Sequence, residues 1–201
     1  MNFDLMEVVA RVGMQFVPFL FCLCFHEFAH AWMAKKLGDN TAFLMGRLTL
    51  NPMAHADMLG TFILPLIGII TQFPTFGWAN PVPVNDRNFK KPRNGMFWVA
   101  LAGPASNILL AVISAIIYVL SQLMLSPCKS SEALQVFSVQ LLLINLFLAF
   151  FNLIPIHPLD GGKILARFLP ESANRVLESN QHASSIILLL LFVTGGFQYL
   201  A

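Results

Sequence analysis

Phe16-Val-Pro-Phe-Leu-Phe-Cys-Leu-Cys-Phe-His26-Glu27-Phe-Ala-His30-Ala-Trp-Met33 sets two histidines and a glutamate inside an otherwise apolar run. Histidines four apart on a helix share one face, roughly 6 Å apart along the axis and about 40° around it. That spacing suits two imidazoles reaching one Zn²⁺ at about 2.0–2.1 Å each. Glu27 falls one residue along, where it can act on water at a metal rather than on the metal itself. The bland alternative is a polar pair capping a bundle interface. Ionisable groups in a membrane span are costly and mark a functional site by default, which disfavours that reading.

Composition gives the setting. The chain of 201 residues is 57% hydrophobic and only 11% charged, with mean hydropathy +0.70. A soluble domain carries about 25% charged residues. The expectation is one integral membrane domain spanning 1–201, with little extramembrane mass. A formal net charge of +2 gives no argument for nucleic acid. Cys22, Cys24 and Cys128 have neither zinc-site spacing nor the look of a disulfide framework. The N-terminus is acidic at Asp4 and Glu7, so no cleaved signal peptide is expected.

Along the chain, Val12 to Leu37 reads as a first span, closed by Lys35, Lys36 and Gly38. The His pair lies in the half nearer Lys35. Thr41 to Asp57 has strand composition with a Gly46-Arg47 break and ends at Asn51-Pro52. It predicts a short β hairpin at the membrane surface. Such an edge either pairs with a substrate strand or merely connects. His55 reads as a surface histidine in preference to a further ligand. Thr61 to Phe73 is too short to span and reads as re-entrant. A Pro-rich loop, Phe76 to Asn85, and a basic stretch (Arg87, Lys90, Lys91, Arg93) follow.

Met96 to Leu125 and Leu134 to Ile154 read as further spans, and Ile186 to Tyr199 can just span. Asn107, in Gly103-Pro104-Ala-Ser-Asn107, either hydrogen-bonds across helices or lines the site. The third span runs into Asn152-Leu-Ile-Pro155-Ile-His157-Pro158-Leu-Asp160-Gly161-Gly162. Pro155 and Pro158 must break the helix, and broken helices at membrane depth line cavities. Asp160 just past that break fits a carboxylate brought to the His pair. His157 reads as playing no part. Lys163 to Gln181 is a polar, partly helical surface segment, and His182 reads as a surface histidine.

The fold class is therefore an all-α polytopic membrane protein, with four to six transmembrane helices, a short β hairpin and a re-entrant segment. If Thr61–Phe73 does not cross, ten cations fall on one side of the membrane and two, Arg11 and Lys129, on the other. If it crosses, the split is eight to four. The positive-inside rule favours the first arrangement. It puts His26, His30 and Asp160 toward the cytosolic face.

Three blocks in order, His26-Glu-Phe-Ala-His30, Gly103-Pro-Ala-Ser-Asn107 and Asn152 through Gly161, resemble the site-2 protease family of intramembrane zinc metalloproteases. The linking text (Gly46 to Pro52, Phe76-Gly-Trp, Pro81 to Asn85) is similar to its compact prokaryotic branch, which lacks PDZ and CBS domains. The resemblance implies one Zn²⁺ held by His26, His30 and Asp160, with Glu27 as catalytic base and Asn152 toward the scissile carbonyl. It implies cleavage of a membrane protein substrate within or near its transmembrane segment, in a prokaryotic inner membrane. Two other readings compete. A non-catalytic metal-dependent protein that binds transmembrane helices has no need of Glu27. A metal transporter predicts polar residues along several spans, whereas here they cluster at one depth.

Overall fold

Among the described residues, 5–71, 77–124 and 128–193 of a computed structural model, every regular element is helical. The α-helices in order are α1 (Leu5–Lys36), α2 (Thr41–Leu44), α3 (Leu64–Thr71), α4 (Pro92–Met124), α5 (Lys129–Leu153), α6 (Asp160–Ala166), α7 (Glu171–Ser179) and α8 (Gln181–Val193). Helices α1, α4 and α5 are long and apolar enough to cross a membrane. The described part of α8, 13 residues, is about 20 Å long, short of a hydrocarbon core of about 30 Å. Residues 194–199 of the expected last span, and the side chain of His182, lie outside the described residues.

Polar side chains lie buried among apolar ones, while many large apolar side chains are exposed. Large side chains such as Phe21, Leu109, Val112, Ile116 and Phe150 are exposed, whereas His26, Glu27, His30, Asn107, Ser114, Ser138 and Asn145 are buried. In water such an exterior would be an aggregation liability; against lipid it is the expected surface. Helix α4 turns Gly95, Ala100, Gly103, Pro104, Ala111 and Ser114 inward. These small residues let α1 and α5 approach its backbone closely.

Helix α1 ends where expected. Gly38 takes a positive φ of 108°, and Asp39 N–H donates to Ala34 O at 2.9 Å. Asp39 itself is a pin. Its carboxylate accepts from Thr41 N–H (3.0 Å), Thr41 Oγ1, Asn88 Nδ2 (2.7 Å) and Asn85 N–H (2.8 Å). The end of α1 is thereby tied to the loop after α3. Burial alone would raise the Asp39 pKa, but these hydrogen bonds outweigh it and hold the carboxyl below its usual range. A depressed folded pKa stabilises above the unfolded value and is lost as pH falls through the folded one. Asp39→Asn is accordingly expected to lower the unfolding temperature at pH 7, with the gap to the parent protein closing below about pH 4. Equal melting of the two proteins at pH 7 would contradict this.

The expected β hairpin over Thr41–Asp57 is absent: no residue of that stretch is in a strand. The stretch opens instead as a single helical turn, α2, whose first N–H, of Thr41, donates to the Asp39 carboxylate. Gly46 then adopts φ 69°, and Asn51 accepts from Met53 N–H to open a 3₁₀ turn at Pro52–Ala54. Strand composition has no effect without a partner strand, and none is offered here. His55 is also corrected. It is buried rather than on the surface, with Nε2 at 2.9 Å from Thr49 O.

The segment expected to be re-entrant opens as one π-helical turn, Met58–Ile63, capped by Asp57, and continues into α3. Its two flanks meet. Trp78 N–H donates to Gly60 O (3.1 Å), and Asn80 N–H donates to His55 O (2.8 Å). Thr61 Oγ1 donates to Trp78 O at 2.8 Å. The chain thus leaves at Gly60 and is back beside it at Trp78, whereas a crossing segment would separate its ends by about 30 Å. Phe73, the last residue of that expected segment, lies outside the described residues.

Candidate metal centre

Helix α1 carries His26, Glu27 and His30, and the start of α6 carries Asp160; all four are buried. Pro155 and Pro158 act as expected. Helix α5 stops at Leu153, and the chain turns until Asp160 opens α6. Gly161 makes the turn fit, since a Cβ there would lie 2.3 Å from Ile154 O and 2.4 Å from Leu153 O. At the far end of α6, Arg93 Nη2 of α4 donates to Ala166 O (2.8 Å) and to Leu169 O. Helix α6 is therefore anchored to α4 at its tail while its head delivers Asp160.

Three atoms converge. His26 Nε2 and His30 Nε2 each lie 3.1 Å from Asp160 Oδ2, and the two nitrogens are 3.0 Å apart. Adjacent ligands on a tetrahedral zinc with bonds of about 2.0–2.1 Å are separated by about 3.3 Å, close to these edges. The ring tautomers sharpen the point. His26 Nδ1 lies 2.6 Å from Asn107 Oδ1, and His30 Nδ1 lies 2.7 Å from Val99 O. Both partners only accept, so each Nδ1 carries a proton, and each ring, when neutral, turns an Nε2 lone pair inward. Two lone pairs and a carboxylate oxygen facing one point repel unless a proton or a metal cation sits among them. Two imidazoles and a carboxylate, with hydrogen bonds behind both rings, make a donor set that a zinc ion with one open position would fit.

Glu27 stands beside this triangle, not in it. Its carboxylate lies within 4.8 Å of the imidazole ligand atoms, and its Oε2 accepts from Val82 N–H at 3.1 Å. Prolines at 81 and 83 make Val82 the only backbone donor in that triplet. A cavity of about 1100 Å³ opens onto Glu27, His26, His30 and Asp160, and Asn152 lines the same cavity. One Asn152 N–H is used on Leu148 O at 2.9 Å, which leaves its second N–H and its carbonyl for the cavity.

Reading the residues alone left Asn107 open and passed over Asn145, Val82, Val99 and the role of Gly103. Asn107 turns out to bond across helices and to hold a site residue. Asn145, an amide in an otherwise apolar run, carried the same signal. Val82 and Val99 act through backbone atoms, which residue type does not encode. Gly103 leaves room: a Cβ on it would lie 2.4 Å from His30 Nε2 and 2.6 Å from His26 Cε1. His157 is buried, with no partner at Nδ1 among the described residues.

Comparison with known proteins agrees with this centre. The model of Peptidase family M50 matches residues 14–140 and 123–194. The chain is 42% identical over 172 residues to "Putative zinc metalloprotease YwhC" of Bacillus subtilis, covering 84% of this chain and 75% of that one. It is 28% identical to "Putative zinc metalloprotease Rip2" of Mycolicibacterium smegmatis, covering 87% of this chain and 64% of the relative. It is 31% identical to "Putative zinc metalloprotease MJ0611" of Methanocaldococcus jannaschii, covering 70% and 63%. No solved structure matches. With three membrane-length helices and a family match over most of its length, the chain is an integral membrane protein belonging to Peptidase family M50, the site-2 protease family.

Proposed function

We propose that this chain, as one domain, is a zinc-dependent endopeptidase that cuts a peptide bond within or near the transmembrane segment of a membrane protein. The observation that carries the reading is the convergence of His26 Nε2, His30 Nε2 and Asp160 Oδ2, beside an acid whose Oε2 is already occupied. His26, His30 and Asp160 would hold the ion. A bound zinc supplies Lewis acidity at the open position and makes water there easier to deprotonate. Everything else falls to the chain. With Oε2 tied to Val82 N–H, the other Glu27 oxygen is left to take the proton of the attacking water and to return it to the leaving amine. The free N–H of Asn152 is available to the carbonyl oxygen as charge develops. The apolar cavity between α1 and α5 takes the substrate segment, whose helix must open for its carbonyl to be reached.

The test is metal removal. Stripping zinc from the purified protein with a chelator is expected to abolish cleavage of a single-span model substrate in proteoliposomes. One equivalent of zinc per chain should restore it. Undiminished cleavage by metal-free protein would refute the reading.

The cation asymmetry and the joined flanks of α3 also support a site toward the cytosolic face of a prokaryotic cell membrane. Cysteines placed at Arg11 and Lys90 should then react with impermeant reagents from opposite sides. Labelling from one side would reverse this topology.

A further inference from the structure

We propose that Asn145, on α5 and away from every ligand atom, is a positioning residue that fixes the tautomer of His26. The inference rests on the reading of His26 as a metal ligand. The geometry is a chain of hydrogen bonds whose direction is set at one end. Asn145 Nδ2 donates to Leu141 O at 2.9 Å. Leu141 O is a backbone carbonyl and can only accept, so the Asn145 amide cannot be turned round without losing that bond. Its Oδ1 is thereby presented to α4, where it accepts from Asn107 Nδ2 at 2.8 Å. Asn107 Nδ2 also faces Cys22 O at 3.4 Å. With its NH₂ group engaged on that side, Asn107 must show Oδ1 to α1, where His26 Nδ1 lies 2.6 Å away. His26 therefore carries its proton on Nδ1 and keeps Nε2 bare for a metal.

Reversing the Asn107 amide would put an N–H against Nδ1 and shift the ring proton to Nε2, where it blocks coordination. Asn107 alone cannot prevent that reversal, because an amide reads nearly the same shape either way round. The Asn145 carbonyl, at 2.8 Å against 3.4 Å for Cys22 O, is the nearer acceptor that opposes it. Both asparagines are 0% exposed, so no water is at hand to satisfy the wrong orientation. His30 needs no such relay, because the Val99 carbonyl fixes its Nδ1 directly.

The test measures zinc affinity by chelator competition on full-length protein in detergent, together with unfolding of the metal-free forms. Hydrogen-bond partners behind a ligating histidine are worth about 10–100-fold in affinity. Asn145→Leu should weaken zinc about 10-fold. Asn145→Asp should stay within about 3-fold of the parent. The carboxyl group introduced by Asn145→Asp, buried at that position, has two states. Protonated, it puts its O–H on Leu141 O and its C=O toward Asn107; ionised, it still accepts from Asn107. The double variant Asn107→Leu/Asn145→Leu should bind no more weakly than Asn107→Leu alone, because Asn145 acts on His26 only through Asn107.

Parent-like affinity in Asn145→Leu, an equal loss in Asn145→Asp, or multiplicative losses in the double variant would each overturn the proposal. A purely packing role predicts the last of these, with metal-free melting falling alongside. Failure of the parent protein to bind zinc at all would instead overturn the metal reading, and this inference with it.

Discussion

Glu27→Gln is expected to lower peptide cleavage by about 10³-fold or more while the protein keeps its zinc. The replacement is nearly isosteric and, on the proposed reading, removes no ligand atom, so the triangle of His26, His30 and Asp160 remains. The loss follows from the Val82 contact. Val82 N–H needs an acceptor, and the only acceptor on a glutamine is its carbonyl oxygen. The amide must therefore turn its NH₂ toward the water that the carboxylate had faced. A group that accepted a proton becomes one that donates a hydrogen bond, and the water loses its base. Turnover of a model substrate, measured beside zinc content per chain, checks both halves. Cleavage within tenfold of the parent, or loss of zinc, would count against the assigned role.

Gly103→Ala is expected to weaken zinc binding by about 100-fold and to remove activity with it, although Gly103 binds nothing. Its Cβ would lie 2.4 Å from His30 Nε2, 2.5 Å from His30 Cε1 and 2.6 Å from His26 Cε1. The rings cannot swing aside freely, because Asn107 and Val99 hold their Nδ1 atoms. Alanine favours helix over glycine by about 1 kcal/mol, so α4 itself gains from the change. Chelator competition and circular dichroism together separate the two effects: lost affinity with retained helicity. Gly13→Ala is the control, since nothing lies within 4 Å of a Cβ there. Parent-like affinity in Gly103→Ala would mean that the rings have a freedom this geometry denies them.

Much of this was legible in the residues because the relevant physics is local or binary. The spacing of His26 and His30 fixes their shared face. Pro155 and Pro158 force a break wherever they fall. Asp160 could be joined to the pair because an acid at the end of a broken span has few other uses. Failures came where a tertiary partner decides. Thr41-Ala-Phe-Leu has strand composition, but it finds no partner strand and turns as a helix beside the Asp39 carboxylate. His55 is polar and near a turn, yet the returning chain at Asn80 covers it. The tautomer relay crosses three helices, and no spacing along one helix encodes a bond between two others.

Arg93 has a consequence for how the molecule is held together. It fastens the tail of α6 to α4, so Asp160 travels with α4, while both histidines travel with α1. On the proposed reading the metal crosses the seam between α1 and α4, beside the hydrogen bonds of His26 to Asn107 and of His30 to Val99 O. The ion then serves as a rivet across that seam as well as a reagent. Any motion that parts α1 from α4 to admit a substrate must stretch the coordination sphere, so opening and metal retention oppose each other.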